Sequence, residues 1–109
     1  MKKDNQVYIT DIQNAIKRIE DYTNGVDFEI FQNEEMRHDA VIRQLEIVGE
    51  ATNRLSNEFS QDHPNFPFKE AVAMRNFLIH GYDDVDLKVV WKTVQEDIPI
   101  LKRNIESLS

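Results

Sequence analysis

The chain has 109 residues, a formal net charge of -7 at pH 7, no cysteine, three glycines and three prolines. This length suits one domain with one core over residues 1–109. The composition excludes disulfides, and there is no signal peptide and no apolar run near the roughly 20 residues that cross a bilayer, so we expect no membrane contact and a reducing cytoplasm. An acidic chain cannot hold nucleic acid over a broad basic surface, so nucleic-acid binding would need a local patch.

The first helix is predicted over residues 5–24. Apolar side chains recur there at steps of three and four residues, and Gly25 ends the pattern. Residues 26–32 form a short segment whose aromatic side chains suit one helical turn or a loop that fills the core. Asn33 is the predicted N-cap of the next helix, because two acidic residues follow it in the first turn.

The second long helix is predicted over residues 34–59. Its apolar residues cover more than one stripe of the helix surface, which indicates two buried faces. Such a helix lies in the centre of a bundle or contacts a second subunit. Gly49 lies in its middle, where glycine costs up to about 1 kcal/mol relative to alanine, and this position indicates close approach of another backbone. The adjacent Glu50 is either a surface carboxylate or a partner of Arg75.

A loop is predicted over residues 60–67, which contain two prolines and several polar residues. Pro67 can occupy the first turn of the third long helix, where its missing N–H does no harm. That helix is predicted over residues 68–80, and Gly81 ends it.

Asp86 is the predicted cap of a last helix that keeps its apolar period to the C-terminus. Pro99 is expected to kink this helix near Gln95, whose carbonyl loses its donor. We therefore predict an all-α fold, an antiparallel up-and-down bundle of four main helices and a short one.

The end of the third helix concentrates the reactive side chains of the chain, namely Arg75, Asn76, His80 and Tyr82. At about 100° per residue, Arg75 falls inside the apolar arc of the helix, where an unpaired guanidinium is costly. His80 lies about 140° from Arg75 around the axis, so one chain does not easily bring the two together. A two-fold interface between two copies can place two of each around one cleft.

Arginine holds phosphate and histidine titrates at about pH 6.5, so the pair suits metal-independent RNA cleavage. In this reaction the 2′-hydroxyl attacks the adjacent phosphodiester, His80 acts as general base or acid, and Arg75 stabilises charge on the phosphoryl oxygens. Asn76 can bind a phosphate oxygen or orient His80. Spacing alone leaves a structural interpretation equally open, with Arg75 in an ion pair, His80 capping carbonyls and Tyr82 packed in the core.

The histidines do not predict a metal site. His38, His63 and His80 are far apart and lack the short ligand spacings of metal motifs. The chain also has no phosphate-binding glycine loop. We therefore predict neither a metal nor a cofactor.

The spacing of Arg75, Asn76, His80 and Tyr82 resembles the signature of the HepT-like toxins of the HEPN superfamily, in which Arg, four residues, His, one residue and Tyr follow one another. Residues 45–51 are similar to the family's Gly-Glu-Ala segment, and residues 64–68 are similar to its proline-bearing loop. The pairs Val90-Trp91 and Ile98-Pro99 are similar to its last helix. The resemblance covers nearly the whole chain.

This resemblance implies a HEPN-like bundle and an endoribonuclease toxin that dimerises to form its active cleft. It implies Arg75 and His80 as catalytic residues and Asn76 as a supporting residue. The implied partner is an MntA-type nucleotidyltransferase antitoxin, which neutralises the toxin by transferring AMP to Tyr82. Two alternatives remain: a non-catalytic binding module that presents substrate or nucleotide to a partner nucleotidyltransferase, and a purely structural dimerising bundle.

Overall fold

The computed structural model describes residues 5–74 and 85–108, and every regular element within them is helical. In chain order the helices are α1 (Asn5–Thr23), α2 (Phe28–Asn33), α3 (Glu35–Asn53), α4 (Asn57–Asp62), α5 (Phe68–Ala73), α6 (Leu87–Lys92) and α7 (Ile98–Glu106), and a π-helical turn (Thr93–Asp97) joins α6 to α7. The predicted all-α fold class is confirmed. None of the helices in these two ranges has the length and apolar character needed to span a membrane.

One hydrophobic core is shared by these helices, and helical periodicity explains which side chains enter it. In α1 and α7 the buried residues recur at steps of three and four: Ile9, Ile12, Ala15, Ile16 and Ile19, and then Ile98, Leu101 and Ile105. Helix α3 buries more than one stripe, as predicted, and packs against both α1 and α5.

Hydrogen bonds at both ends show that α1 and α3 run antiparallel. At one end, Asn5 Nδ2 donates to Ser56 Oγ at 3.0 Å, and the Ser56 backbone N–H donates to Asn5 Oδ1 at 3.1 Å. At the other end, Arg37 near the start of α3 donates to the Tyr22 carbonyl near the end of α1. The start of α1 therefore lies beside the end of α3.

The predicted continuous helix over residues 34–59 is wrong, because the chain breaks after α3 and starts again as α4. Ser56 caps the new helix by accepting a hydrogen bond from the Phe59 N–H at 3.1 Å. Asn5 holds Ser56 in place from α1. Apolar residues continue at helical spacing through Phe59, and this pattern masked the break.

The predicted N-cap at Asn33 is also wrong. Asn33 is the last residue of α2, and Glu34 precedes α3 without a side-chain cap bond. The Glu34 carboxylate is instead engaged by Arg37, with N–O distances of 3.2 and 3.3 Å. This ion pair competes with capping for the same oxygens.

Other expected boundaries agree with the structure. Gly25 follows α1 with a positive φ of 71°, and the segment after it forms the short helix α2. Pro67 lies at the N-cap of α5 rather than in its first turn. The helix predicted over residues 68–80 is confirmed as far as Ala73, and its remainder lies outside the described residues together with Gly81.

The last helical segment begins as predicted, because Asp86 Oδ1 accepts a hydrogen bond from the Lys88 N–H at 2.9 Å. The predicted disruption near Gln95 is present as the π-helical turn. Pro99 has no N–H for the Gln95 carbonyl, and a wider turn accommodates the missing bond.

We expect Ser56→Ala to lower the free energy of unfolding by about 1–2 kcal/mol, because it removes the α4 cap and one bond to Asn5. The matched control is Ser60→Ala on the exposed side of α4, for which we expect a change within about 0.5 kcal/mol. Urea unfolding at one fixed protein concentration measures both. Equal stability of the two variants would contradict this assignment.

Candidate functional site

The predicted site residues Arg75, Asn76, His80 and Tyr82 all lie in residues 75–84, outside the part of the chain that the structure describes. Their mutual distances, and the meeting of Arg75 and His80 at a two-fold interface, therefore stay predictions. The described residues define the helices that lead into and out of this stretch.

Helix α5 leads into the stretch, and its buried face fixes where the stretch begins. Ala71 and Met74 are 1% and 2% exposed, and α5 packs against α3. Arg75 follows Met74 directly. On the far side, the Asp86 cap starts α6 shortly after Tyr82. The stretch is thus anchored by a buried residue before it and a capped helix after it.

Helix α3, which packs against α5, carries two carboxylates one turn apart, Glu46 and Glu50. Glu46 is only 4% exposed, and its Oε2 lies 3.3 Å from Arg43 Nη1. Burial raises the pKa of the Glu46 carboxyl, and Arg43 opposes this shift. Glu50 is half-buried. The predicted alternative that Glu50 pairs with Arg75 stays a prediction, because Arg75 is not described.

The two described histidines have structural contacts. His38 Nδ1 lies 3.0 Å from the Phe31 carbonyl oxygen, and the His63 ring centroid lies 4.5 Å from that of Phe59. Within residues 5–74 and 85–108, no group of three or more histidine, aspartate or glutamate side chains is arranged to hold a metal ion. Both histidines thus contact aromatic residues or the backbone within the described bundle.

A groove of about 480 Å³ opens between α5 and the start of α7, and we call it the α5–α7 groove. Its apolar floor consists of buried residues, namely Phe66, Ala71, Met74 and Leu101. Glu70 and Asp97 line it with carboxylates, and Ile100 is a further apolar residue on its wall. Met74, which precedes the predicted site, is one of its lining residues. Carboxylates repel phosphate, so Glu70 and Asp97 disfavour an RNA backbone in this groove.

Sequence reasoning missed both Glu46 and the α5–α7 groove. Glu46 carried a signal, because it lies between Leu45 and Ile47 in an apolar segment with Arg43 one turn earlier. The groove carried none, since Glu70 and Asp97 come from distant segments that only the fold brings together.

Comparison with known proteins identifies the family. Residues 12–108 match the family model described as ribonuclease HepT-like. A protein named probable ribonuclease HepT from Thermococcus cleftensis is 46% identical over 108 residues, which is 99% of this chain and 98% of that protein. A putative RNase from Methanocaldococcus jannaschii is 40% identical over 105 residues, or 96% of each chain.

A third relative, also from Methanocaldococcus jannaschii, is named gamma-glutamylcyclotransferase and putative RNase. It is 41% identical over 105 residues, which cover 96% of this chain and 47% of the relative. No solved structure matches the chain significantly. The family model and the near full-length relatives together establish that the chain belongs to the ribonuclease HepT-like family of the HEPN superfamily.

Proposed function

We propose that the chain is the toxin of a HepT/MntA-type toxin-antitoxin system and acts as a metal-independent endoribonuclease. The observation that carries the proposal is the intact spacing of Arg75, His80 and Tyr82 in a member of the ribonuclease HepT-like family. The ribonuclease names of its relatives support RNA as the substrate.

The proposed reaction needs only side chains. His80 removes the proton of a 2′-hydroxyl, the resulting oxyanion attacks the adjacent phosphorus, and the bond to the 5′-oxygen breaks. A protonated histidine donates a proton to that leaving oxygen. Arg75 stabilises the charge that develops on the phosphoryl oxygens, and Asn76 supports it or orients His80. The products are a 2′,3′-cyclic phosphate and a 5′-hydroxyl.

A homodimer, alone or within a higher oligomer, supplies the arrangement that this reaction needs. If the predicted helix over residues 68–80 is regular, Arg75 and His80 would be about 140° apart around its axis, which disfavours a site within one chain. A two-fold interface places two copies of each residue around one cleft. An Arg75 of one copy and a His80 of the other then act on the same phosphodiester, and that His80 returns the proton to the leaving oxygen.

Tyr82 is the proposed control point. An MntA-type nucleotidyltransferase partner would transfer AMP from ATP to the Tyr82 hydroxyl, with release of pyrophosphate. The added phosphate is anionic and lies two residues from His80. It would therefore repel the RNA backbone and occupy space in the cleft.

The acidic composition fits a local RNA site. With a net charge of -7, the chain would meet RNA at the cleft alone rather than across its surface. We place the reaction in the cytoplasm, where RNA is available and where a chain without cysteine needs no oxidising compartment.

A second candidate function is a non-catalytic module that presents substrate or nucleotide to a partner nucleotidyltransferase, with Arg75 holding a phosphate. The acidic net charge favours this candidate, because it suits a basic protein partner better than RNA. Cleavage of RNA by the purified chain separates the two candidates.

We expect His80→Ala to reduce RNA cleavage at least about 100-fold, because it removes the proposed proton-transfer group. The assay incubates unmodified protein with total RNA in the presence of EDTA and detects 2′,3′-cyclic phosphate ends. His63→Ala is the matched control, since His63 packs on Phe59 in the described bundle, and it should retain cleavage. If His80→Ala protein cuts as well as the parent, the proposed role of His80 is wrong.

We expect AMP transfer to occur at Tyr82 alone among the three tyrosines of the chain. Incubation with ATP and an MntA-type nucleotidyltransferase should add the mass of AMP to the parent protein and to the control Tyr22→Phe. The same treatment should leave Tyr82→Phe unmodified. Intact-protein mass spectrometry provides the measurement, and a modified Tyr82→Phe protein would refute the assignment.

A further inference from the structure

One asparagine of the chain is followed directly by a glycine. Of the three glycines, only Gly25 follows an asparagine, Asn24, whereas valine and histidine precede the other two. Glycine has no Cβ, so its backbone nitrogen is the least shielded from the side chain of the residue before it. This pair is therefore the place in the sequence where an asparagine side chain and the next backbone amide can most easily react with each other.

The structure places this pair in an exposed turn between α1 and α2. Asn24 and Gly25 are both exposed, and Gly25 has a positive φ. The hydrogen bond that closes the turn is donated by the Val26 N–H to the Thr23 carbonyl at 3.1 Å, so the Gly25 N–H takes no part in it. A Cβ built on Gly25 would meet no atom within 4 Å. This open space lets the Asn24 side chain fold back towards the Gly25 nitrogen.

Three other exposed asparagines, Asn33, Asn53 and Asn65, differ from Asn24 in this respect. The residue after each of them donates its backbone N–H to an earlier carbonyl: Glu34 to Ile30 at 3.0 Å, Arg54 to Ala51 at 3.2 Å and Phe66 to His63 at 3.1 Å. A hydrogen bond holds both the proton and the direction of such an amide, so its nitrogen is not free to turn towards a side chain. The backbone thus singles out Asn24 among these asparagines.

We propose that Asn24 is a site of spontaneous covalent modification, at which the side-chain amide is lost as ammonia. The Gly25 backbone nitrogen loses its proton to solvent and attacks the Asn24 Cγ. The bond from Cγ to the side-chain nitrogen breaks, that nitrogen takes up a proton and leaves as ammonia, and a succinimide ring remains. Water then opens the ring. Cleavage between Cγ and the Gly25 nitrogen gives aspartate, and cleavage between the backbone carbonyl carbon and that nitrogen gives isoaspartate.

Both products carry a negative charge that asparagine lacks. The charge would lie at the carboxyl end of α1, where the helix dipole disfavours it. It would also lie two residues after Tyr22, whose carbonyl accepts a hydrogen bond from Arg37. Isoaspartate further lengthens the main chain by a methylene group in the turn. The modification needs only water, so it is independent of the proposed RNA cleavage.

The test incubates the full chain in mildly alkaline buffer and takes samples over time. A protease that cleaves after glutamate separates Asn24 from Asn33, because Glu29 lies between them. Mass spectrometry detects the gain of about 1 Da on loss of the amide. Transfer of a labelled methyl group by a protein-isoaspartate methyltransferase identifies isoaspartate, and a sample taken at the start corrects for modification during digestion.

We expect the peptide that contains Asn24 to gain mass at least about tenfold faster than the peptides that contain Asn33 and Asn53, because only Asn24 precedes a glycine. The rate should rise with pH, since the attacking amide must lose its proton. Asn24→Gln should abolish methyl acceptance, because its longer side chain forms a ring far more slowly. The matched control Asn33→Gln, also at an exposed position, should accept methyl groups at the parent rate.

The proposal is wrong if the Asn24 peptide keeps its mass throughout the incubation. It is equally wrong if Asn24→Gln protein accepts as many methyl groups as the parent. Modification of Asn33 or Asn53 at the rate of Asn24 would also overturn it, because neither the glycine nor the turn would then matter. All of these outcomes are measured without RNA, so they leave the proposed ribonuclease activity to its own test.

Discussion

The antiparallel contact between α1 and α3 is the interaction on which the rest of the described bundle depends. Apolar faces alone would let two helices slide by a turn, whereas hydrogen bonds tolerate little change in distance or angle. Asn5 with Ser56 at one end and Arg37 with the Tyr22 carbonyl at the other fix this register. Because α3 also packs against α5, the same register also determines the position of α5, which precedes the predicted site in the sequence.

Sequence periodicity predicted much of the helical framework, because burial repeats with the helical period when one face of a helix meets one core. The buried residues of α1 and α7 follow this rule. It failed between α3 and α4, because α3 ends at Asn53 and Ser56 caps α4 while bound to Asn5, 51 residues earlier. Periodicity misses a cap of this kind, because the apolar spacing continues across it.

For the candidate site, the sequence predicts the residue types but not their arrangement in space. The spacing of Arg75, His80 and Tyr82 is a property of the sequence, and the chain belongs to the ribonuclease HepT-like family. Their geometry falls outside the described residues and stays a prediction. The α5–α7 groove, in contrast, required the fold, because Glu70 and Asp97 share no local motif. The candidate site residues could therefore be named from the sequence and their roles stay predictions, whereas a groove between helices could be found only from the fold.

Charge limits where the chain would bind RNA. With a net charge of -7, the proposed RNA binding would depend on a local site at Arg75 and its surroundings. The carboxylates of the α5–α7 groove disfavour an RNA backbone there.

If two copies of the chain complete one active cleft, as proposed, then mixing two inactive variants should restore activity. Arg75→Ala and His80→Ala proteins are each assayed for RNA cleavage alone and after unfolding and refolding together, with native mass spectrometry to count mixed dimers. Random pairing makes about half of the dimers mixed, and each of these retains one Arg75 and one His80. We expect the mixture to regain cleavage far above that of either variant alone. A mixture that contains mixed dimers and remains as inactive as its components would contradict it.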